Sequence, residues 1–215
     1  MNFDPSQLLR KSTFRAKSDV ANKLVSMLLH ELSRRINQVT RLTVNGAAYS
    51  KLAFDYFGNL CPYCARELRS KHVAVEHLDG MNRFRAGLHI PGNVLISCSD
   101  CNKEKRRDDQ LAQLVLASSG WESFLSHDSI RCPVGCKSCS YWRELMPIQE
   151  IRTDHLLKSA NRIREFRAIP EIHAALKASE SMQKEAAIAL QEFYREGQNY
   201  AQSRIDSLAD AVWKS

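Results

Sequence analysis

Apolar positions repeat at helical spacing along most of this chain. From Ser18 to about Val39 they fall at Val20, Leu24, Met27, Leu28, Leu32, Ile36 and Val39. Steps of three and four mark an amphipathic helix, whose other face carries Lys23, Arg34 and Arg35. Upstream, Asp4-Pro5-Ser6-Gln7 reads as a helix start, with Asp as N-cap, Pro at the first helical position and Gln three residues after the cap. This predicts a separate short helix that ends near Ser12. After an Asn45-Gly46 turn, Ala47 to Phe57 reads as a further helix bearing Tyr49, Leu52, Phe54, Tyr56 and Phe57, and Gly58-Asn59 stops it. Its aromatic cluster is expected to pack as core against the segment that follows, in preference to stacking on bases.

The period changes in the middle of the chain. His72 to His77 and Val94-Leu95-Ile96 read as short strands. The loop Asp79 to Gly92 between them contains Gly80, Gly87, Pro91 and Gly92. Helical spacing returns from Asp100 to about Leu116, and Gly120-Trp121 opens a short amphipathic piece with Phe124 and Leu125. From Gln149 to Ile169 the positions Ile151, His155, Leu156, Ala160, Ile163 and Phe166 are helical, and Pro170 breaks the run. Glu171 to Trp213 is mostly helical again, without sustained heptads, so a coiled coil is not expected. There is no internal repeat and no low-complexity tract. The expected class is α+β, mainly α. Three regions are expected: residues 1–58 helical, 59–118 a small core containing the strands, and 119–215 helical with a cysteine cluster.

Composition narrows the picture. The chain has 215 residues and a net charge of +7. The excess is uneven: residues 1–60 carry +5, residues 61–110 carry +2, and the remainder balances. Such a basic excess suits a polyanion partner, although by itself it is also ordinary solvated surface. No apolar run approaches the roughly 18 residues needed to span a bilayer, so no membrane partner is expected. The first residues lack the basic-then-apolar order of a signal peptide. Seven cysteines, mostly at metal-ligand spacings, argue for a reducing, cytoplasmic location and against a disulfide framework.

The cysteines organise the chemistry. Cys61-Pro-Tyr-Cys64 and Cys98-Ser-Asp-Cys101 are two Cys-x-x-Cys pairs with 33 residues between them. Each pair can aim two sulfurs at one ion from a tight turn, and four thiolates make a closed tetrahedral zinc site. Four unrelated thiols, or one redox-active pair, are the plainer alternatives. A closed site of this kind is structural, because no coordination position stays open for chemistry. Between the pairs lie Glu76, His77 and Asn93, and Asn102 follows the second pair. These are the residue types with which a phosphodiesterase holds a hard divalent cation, activates water and orients its base. Glu76 and His77 are adjacent, so on a regular strand they point to opposite faces unless the strand ends in a bend. Arg83 and Arg85 on the loop could clamp phosphate or be ordinary loop charge. Lys103, Lys105, Arg106 and Arg107 lie on the first turns of the following helix, against its macrodipole, which a phosphate there would relieve. His89 could contact metal or phosphate, but a lone loop histidine is more often incidental.

This set resembles the HNH endonucleases, the ββα-metal finger family. The resemblance rests on Cys61, Cys64, Glu76-His77, Asn93, Cys98, Cys101, Asn102 and Lys105, and it covers about 50 of the 215 residues. It implies a small ββα-metal nuclease core with structural zinc, flanked by N-terminal and C-terminal helices. It implies His77 as general base, Glu76 and Asn102 as ligands of a catalytic magnesium or manganese ion, and Asn93 as a brace of the histidine-bearing loop. Arg83, Arg85 and Lys105 would bind substrate, with double-stranded DNA as the expected partner. The sequence departs from the family in having Glu where Asp is more usual before the base, and Asn at a last position where His is also common. The rival expectation is a zinc-stabilised nucleic-acid or protein adaptor without catalysis. Family members serve restriction, phage defence and mobile elements, so a nuclease subunit working with a partner such as an ATPase is one expected setting. This chain has no P-loop pattern of its own.

Cys132, Cys136 and Cys139 form a second cluster. It reads as a second zinc site completed by His127 or His155, or as reduced structural thiols near Trp142. The spacing also resembles the radical S-adenosylmethionine cluster motif, but the barrel that such a motif requires does not follow it.

Overall fold

The computed structural model describes residues 5–111, 120–127, 130 and 132–213, and its side chains from residue 17 to 212 except 70, 107–119, 128, 129 and 131. The chain is mainly helical, with one small antiparallel strand pair. In order the elements are α1 (Pro5–Val39), α2 (Ala47–Phe57), β1 (Val73–His77), β2 (Val94–Cys98), α3 (Ser99–Leu111), α4 (Gly120–Leu125), α5 (Lys137–Leu145), α6 (Gln149–Arg167) and α7 (Pro170–Trp213).

The first helix corrects the sequence reading. A separate short helix ending near Ser12 does not form; α1 runs unbroken to Val39. No Gly or Pro lies between Pro5 and Val39, so nothing interrupts the backbone ladder. The expected Asp4 cap, and the end of the helix expected to reach Leu116, lie outside the described residues. Elsewhere α2 has its expected bounds, the ends of the other expected elements shift by at most two residues, and α5 has no counterpart in the sequence reading. α2 closes at Gly58, whose N–H reaches the Phe54 carbonyl, and α6 closes two residues before Pro170.

α1 and α7 pack antiparallel. Gln198 donates to the Ser18 hydroxyl at 3.2 Å, and Gly197 lies against Ala21 and Leu24. Buried Val25, Leu29 and Ile36 of α1 meet Ala186 and Leu190 of α7. The same apolar cluster takes in Ala86, Leu88 and Ile90, so the helix pair forms a wall behind the β1–β2 loop. A second core gathers Tyr49 and Phe57 of α2, the four cysteines of the two knuckles, Leu78, Leu95, Trp121, Phe124, Trp142 and the inner face of α6. Tyr49 and Phe57 therefore pack as core against the first knuckle, while Phe54 is exposed. No described helix is long and apolar enough to cross a membrane.

The strands pair in register from Val73 opposite Cys98 to His77 opposite Val94. Side chains alternate: Val75 and Ile96 face each other on the open side, at 56 % and 47 % exposed, whereas Glu76 and Leu95 are buried on the other. α3 leaves directly from the end of β2, so the order strand, strand, helix is continuous around the second cysteine pair.

The loop between the strands is tightly packed at Gly87. A Cβ there would lie 1.7 Å from the Asp79 carbonyl oxygen, which is backbone and cannot swing away. Gly87→Ala is therefore expected to displace the loop and to cost about 1–3 kcal/mol, as overpacking does. Chemical denaturation against the parent protein checks this.

Candidate active site and metal centre

The two Cys-x-x-Cys turns meet. Cys61, Cys64, Cys98 and Cys101 are all buried, and their sulfurs lie within 4.8 Å of one another. A tetrahedral zinc with 2.3 Å Zn–S bonds holds its sulfurs about 3.8 Å apart, and the Cys64 and Cys98 sulfurs stand 3.8 Å apart. Backbone N–H groups point at the cluster, Cys98 N to Cys61 Sγ at 3.4 Å and Cys101 N to Cys98 Sγ at 3.5 Å. Left to themselves, the thiols compete. Hydrogen bonding to its three neighbours, then burial, pushes Cys101 far above the ordinary thiol range, while the bonds from Cys101, Cys61 and Cys64 hold Cys98 far below it. A dication removes that conflict by stabilising all four thiolates at once, so the cluster can hold a structural metal such as zinc. Tyr141 of α5 places its hydroxyl 3.1 Å from Cys101 Sγ.

Glu76 sits just inside this centre. It is 1 % exposed and forms an ion pair with the equally buried Lys105, at 2.9 Å. Tyr63, from within the first knuckle, donates to the same carboxylate oxygen at 3.0 Å. Burial, and then the Glu76 charge, push the Tyr63 hydroxyl well above its ordinary range and keep it a donor. Lys105 also donates to the His77 carbonyl at 2.9 Å. As placed, Lys105 is therefore a buried brace between β1 and α3 and does not stand on the surface as a phosphate hook.

His77 is the last residue of β1. Its Nε2 lies 3.0 Å from Nδ1 of His89. Ser33 and Asn37 of α1 hold the His89 backbone from both sides, the hydroxyl accepting from its N–H at 2.8 Å and the Asn37 amide donating to its carbonyl at 3.1 Å. His30 of α1 lies beyond, its ring tilted by 50° and 6.2 Å from the His89 ring centre. Burial lowers the His77 pKa to about 4, and the charges of His89, Lys105 and His30 add to the shift. Nothing in the sequence around His89 announced this pairing, because it depends on a helix more than fifty positions upstream.

Asn93 spans the loop. Its Oδ1 accepts from Asp79 N at 2.8 Å, and its Nδ2 donates to the carbonyls of Asp79 and Leu88 at 3.0 and 2.8 Å. Asp79 in turn receives the Gly120 N–H at 2.8 Å and faces Arg167 at 3.6 Å. Arg167 also donates to the Gly92 carbonyl. Helices from both ends of the chain thus fix the loop that follows His77.

Glu76, His77 and Asn102 open onto one cleft of about 550 Å³, shared with Arg83, Lys105 and Arg106. Although adjacent on β1, Glu76 and His77 both line this cleft. Arg83 lies over the Tyr194 ring of α7, 3.7 Å from its centre. Arg85 is half-buried and does not line this cleft. Glu76 and Asn102 offer hard oxygen donors of the kind that magnesium and manganese take, and the carboxylate is charge-balanced by Lys105. No protein-family model, no curated protein and no solved structure matches this chain.

The buried pair sets a stability test. Lys105→Met alone leaves an uncompensated carboxylate and is expected to cost about 3–5 kcal/mol, whereas adding Glu76→Gln should recover much of that loss. Denaturant melts of the parent and these two variants decide it; equal costs for the single and double variants would mean that the charges are not coupled. A pH test follows from His77. Its folded pKa lies below the unfolded value, so between about pH 6.5 and 4 the unfolded chain binds a proton that the folded chain refuses. Stability from this group is complete above pH 6.5 and falls as pH drops towards 4, by about 3 kcal/mol in all. Relative to His77→Gln, the parent should lose that much more stability over this window.

Proposed function

We propose that this chain is a metal-dependent HNH-type endonuclease that hydrolyses phosphodiester bonds in DNA. The observation that carries the reading is the single cleft in which Glu76, His77 and Asn102 meet at the junction of β1, β2 and α3. The four-cysteine centre beside it supports the same reading, since it holds the turn from which Asn102 projects. An adaptor has no need to assemble that set in one cleft.

In this reading His77 takes the proton from the attacking water. Its imidazole is neutral at physiological pH, as a general base must be. A pKa near 4 makes a weak base, and a phosphodiester bound beside it raises that value by favouring the imidazolium. Asn93 keeps the loop after His77 in place, and His89 fixes the ring. Arg83 and Arg106 supply positive charge along the cleft for the substrate's phosphates. Glu76 and Asn102 would hold the divalent ion, whose chemistry there is to stabilise charge on the phosphate and the leaving oxygen. The basic excess of residues 1–110 suits a DNA partner. A place in restriction or phage defence, as the nuclease subunit beside an ATPase, rests on the resemblance alone.

One observation favours the second reading, a non-catalytic zinc-stabilised adaptor. The Glu76 carboxylate is already paired with Lys105 and is 1 % exposed. A structural ion pair needs no metal ligand role.

Purified protein should nick or linearise supercoiled plasmid with magnesium or manganese and fail to do so with EDTA. His77→Ala should lower the rate by at least about 100-fold, the lower end of what a general base supplies. Undiminished cleavage by His77→Ala would remove His77 as base, and metal-independent binding of DNA without cleavage would favour the adaptor.

A further inference from the structure

We propose that His127, Cys132, Cys136 and Cys139 form a second zinc site, and that its metal seats α5 on the first centre. The four donor atoms lie within 4.8 Å of one another. His127 Nδ1 stands 3.2, 3.4 and 4.0 Å from the sulfurs of Cys132, Cys136 and Cys139. A tetrahedral zinc with bonds of 2.0–2.1 Å to nitrogen and 2.3 Å to sulfur places these atoms about 3.6 Å apart. Three thiolates and an imidazole are soft donors that select zinc over magnesium or calcium. Four protein ligands also close the site, so its role is structural.

The backbone is arranged for it. Pro133 to Cys136 is a tight turn, with the Cys136 N–H on the Pro133 carbonyl at 3.2 Å and Gly135 at φ +86°, a conformation that favours glycine. This turn brings Cys132 and Cys136 together. Cys136 precedes α5 and Cys139 lies one turn into it, on the same face. His155, the other donor considered for this site, is not at hand: its Nε2 lies 2.9 Å from the Tyr63 carbonyl, next to Ser159.

The consequence reaches the candidate active site. α5 has nine residues, too few to persist without tertiary support. His127 follows α4, Cys136 caps α5 and Cys139 lies in its first turn, so one ion would tie the two helices end to start. Trp142 of α5 then donates to the Phe124 carbonyl at 3.1 Å. Phe124 meets Tyr63 edge-on, with ring centres 5.4 Å apart, and Tyr63 holds Glu76. Tyr141 reaches Cys101 of the first centre. The second site is the more open of the two, since His127, Cys132 and Cys136 are half-buried while all four cysteines of the first are buried. Its metal should therefore leave first under a chelator.

The test is metal content of the full chain, measured after purification without added metal. Two zinc ions per chain are expected, falling to one in Cys136→Ser with Cys139→Ser, and staying at two in His127→Cys, which keeps four donors. Should the double variant not fold, cobalt substitution of the parent gives the same answer, because seven cobalt–thiolate bonds absorb about 7/4 as strongly as the four of a single all-cysteine site. A parent that holds one zinc, or iron in place of zinc, overturns the site. For the coupling, limited chelation to one zinc per chain should raise hydrogen exchange in α5 at least tenfold while leaving β1 and β2 protected. Unchanged protection of α5 overturns that part. Neither readout depends on nuclease activity, so the two proposals fail separately.

Discussion

The structure depends first on the meeting of four thiols. Two strands of five residues, joined by a long loop, make a ladder that is marginal in water without further support. The knuckles close that segment at both ends. One lies before β1, and the other spans the junction of β2 and α3. Drawing Cys61 and Cys64 against Cys98 and Cys101 sets where β1 starts, where β2 stops and which way α3 leaves. The cluster can hold a structural metal, and with its four thiolates bound to one ion, folding of this region and metal binding would be one equilibrium.

The rest of the molecule holds one irregular loop still. Residues 79–92 are hydrogen-bonded by Asn93 from inside, by Ser33 and Asn37 from α1, and by Arg167 from α6. Tyr49 of α2 accepts from Gly92 N and donates to the Val94 carbonyl. Buried backbone polar groups need partners, and in a loop without a ladder those partners must come from elsewhere. That is why helices far apart in sequence converge here, and why the side chains on this loop have fixed positions beside the cleft.

The cleft is electrostatically restrained. Glu76 and Lys105 sit opposite each other in a medium where an unpaired charge is costly. The pair, with Tyr63, gives β1 and α3 a defined spacing. A cation placed at Glu76 would have to work against the Lys105 ammonium already paired with it. His77 is kept neutral chiefly by its burial, with the charge of Lys105 adding to the effect.

The sequence by itself determined the helical periods, the turn at Asn45-Gly46, the stop at Pro170 and the two short strands, because these follow from local spacing and backbone chemistry. It also singled out the four knuckle cysteines, Glu76, His77, Asn93 and Asn102, because metal-ligand spacing is local too. The continuity of α1 is local as well, because no Gly or Pro interrupts residues 6–38, whereas tertiary structure decided that it packs on α7 through Val25, Leu29 and Ile36. Tertiary structure alone brought His89 to His77, buried Lys105 against Glu76, left Arg85 outside the cleft and chose His127 over His155 beside the second cysteine cluster. Those outcomes depend on which distant side chains share a volume, and one-dimensional spacing carries no record of that.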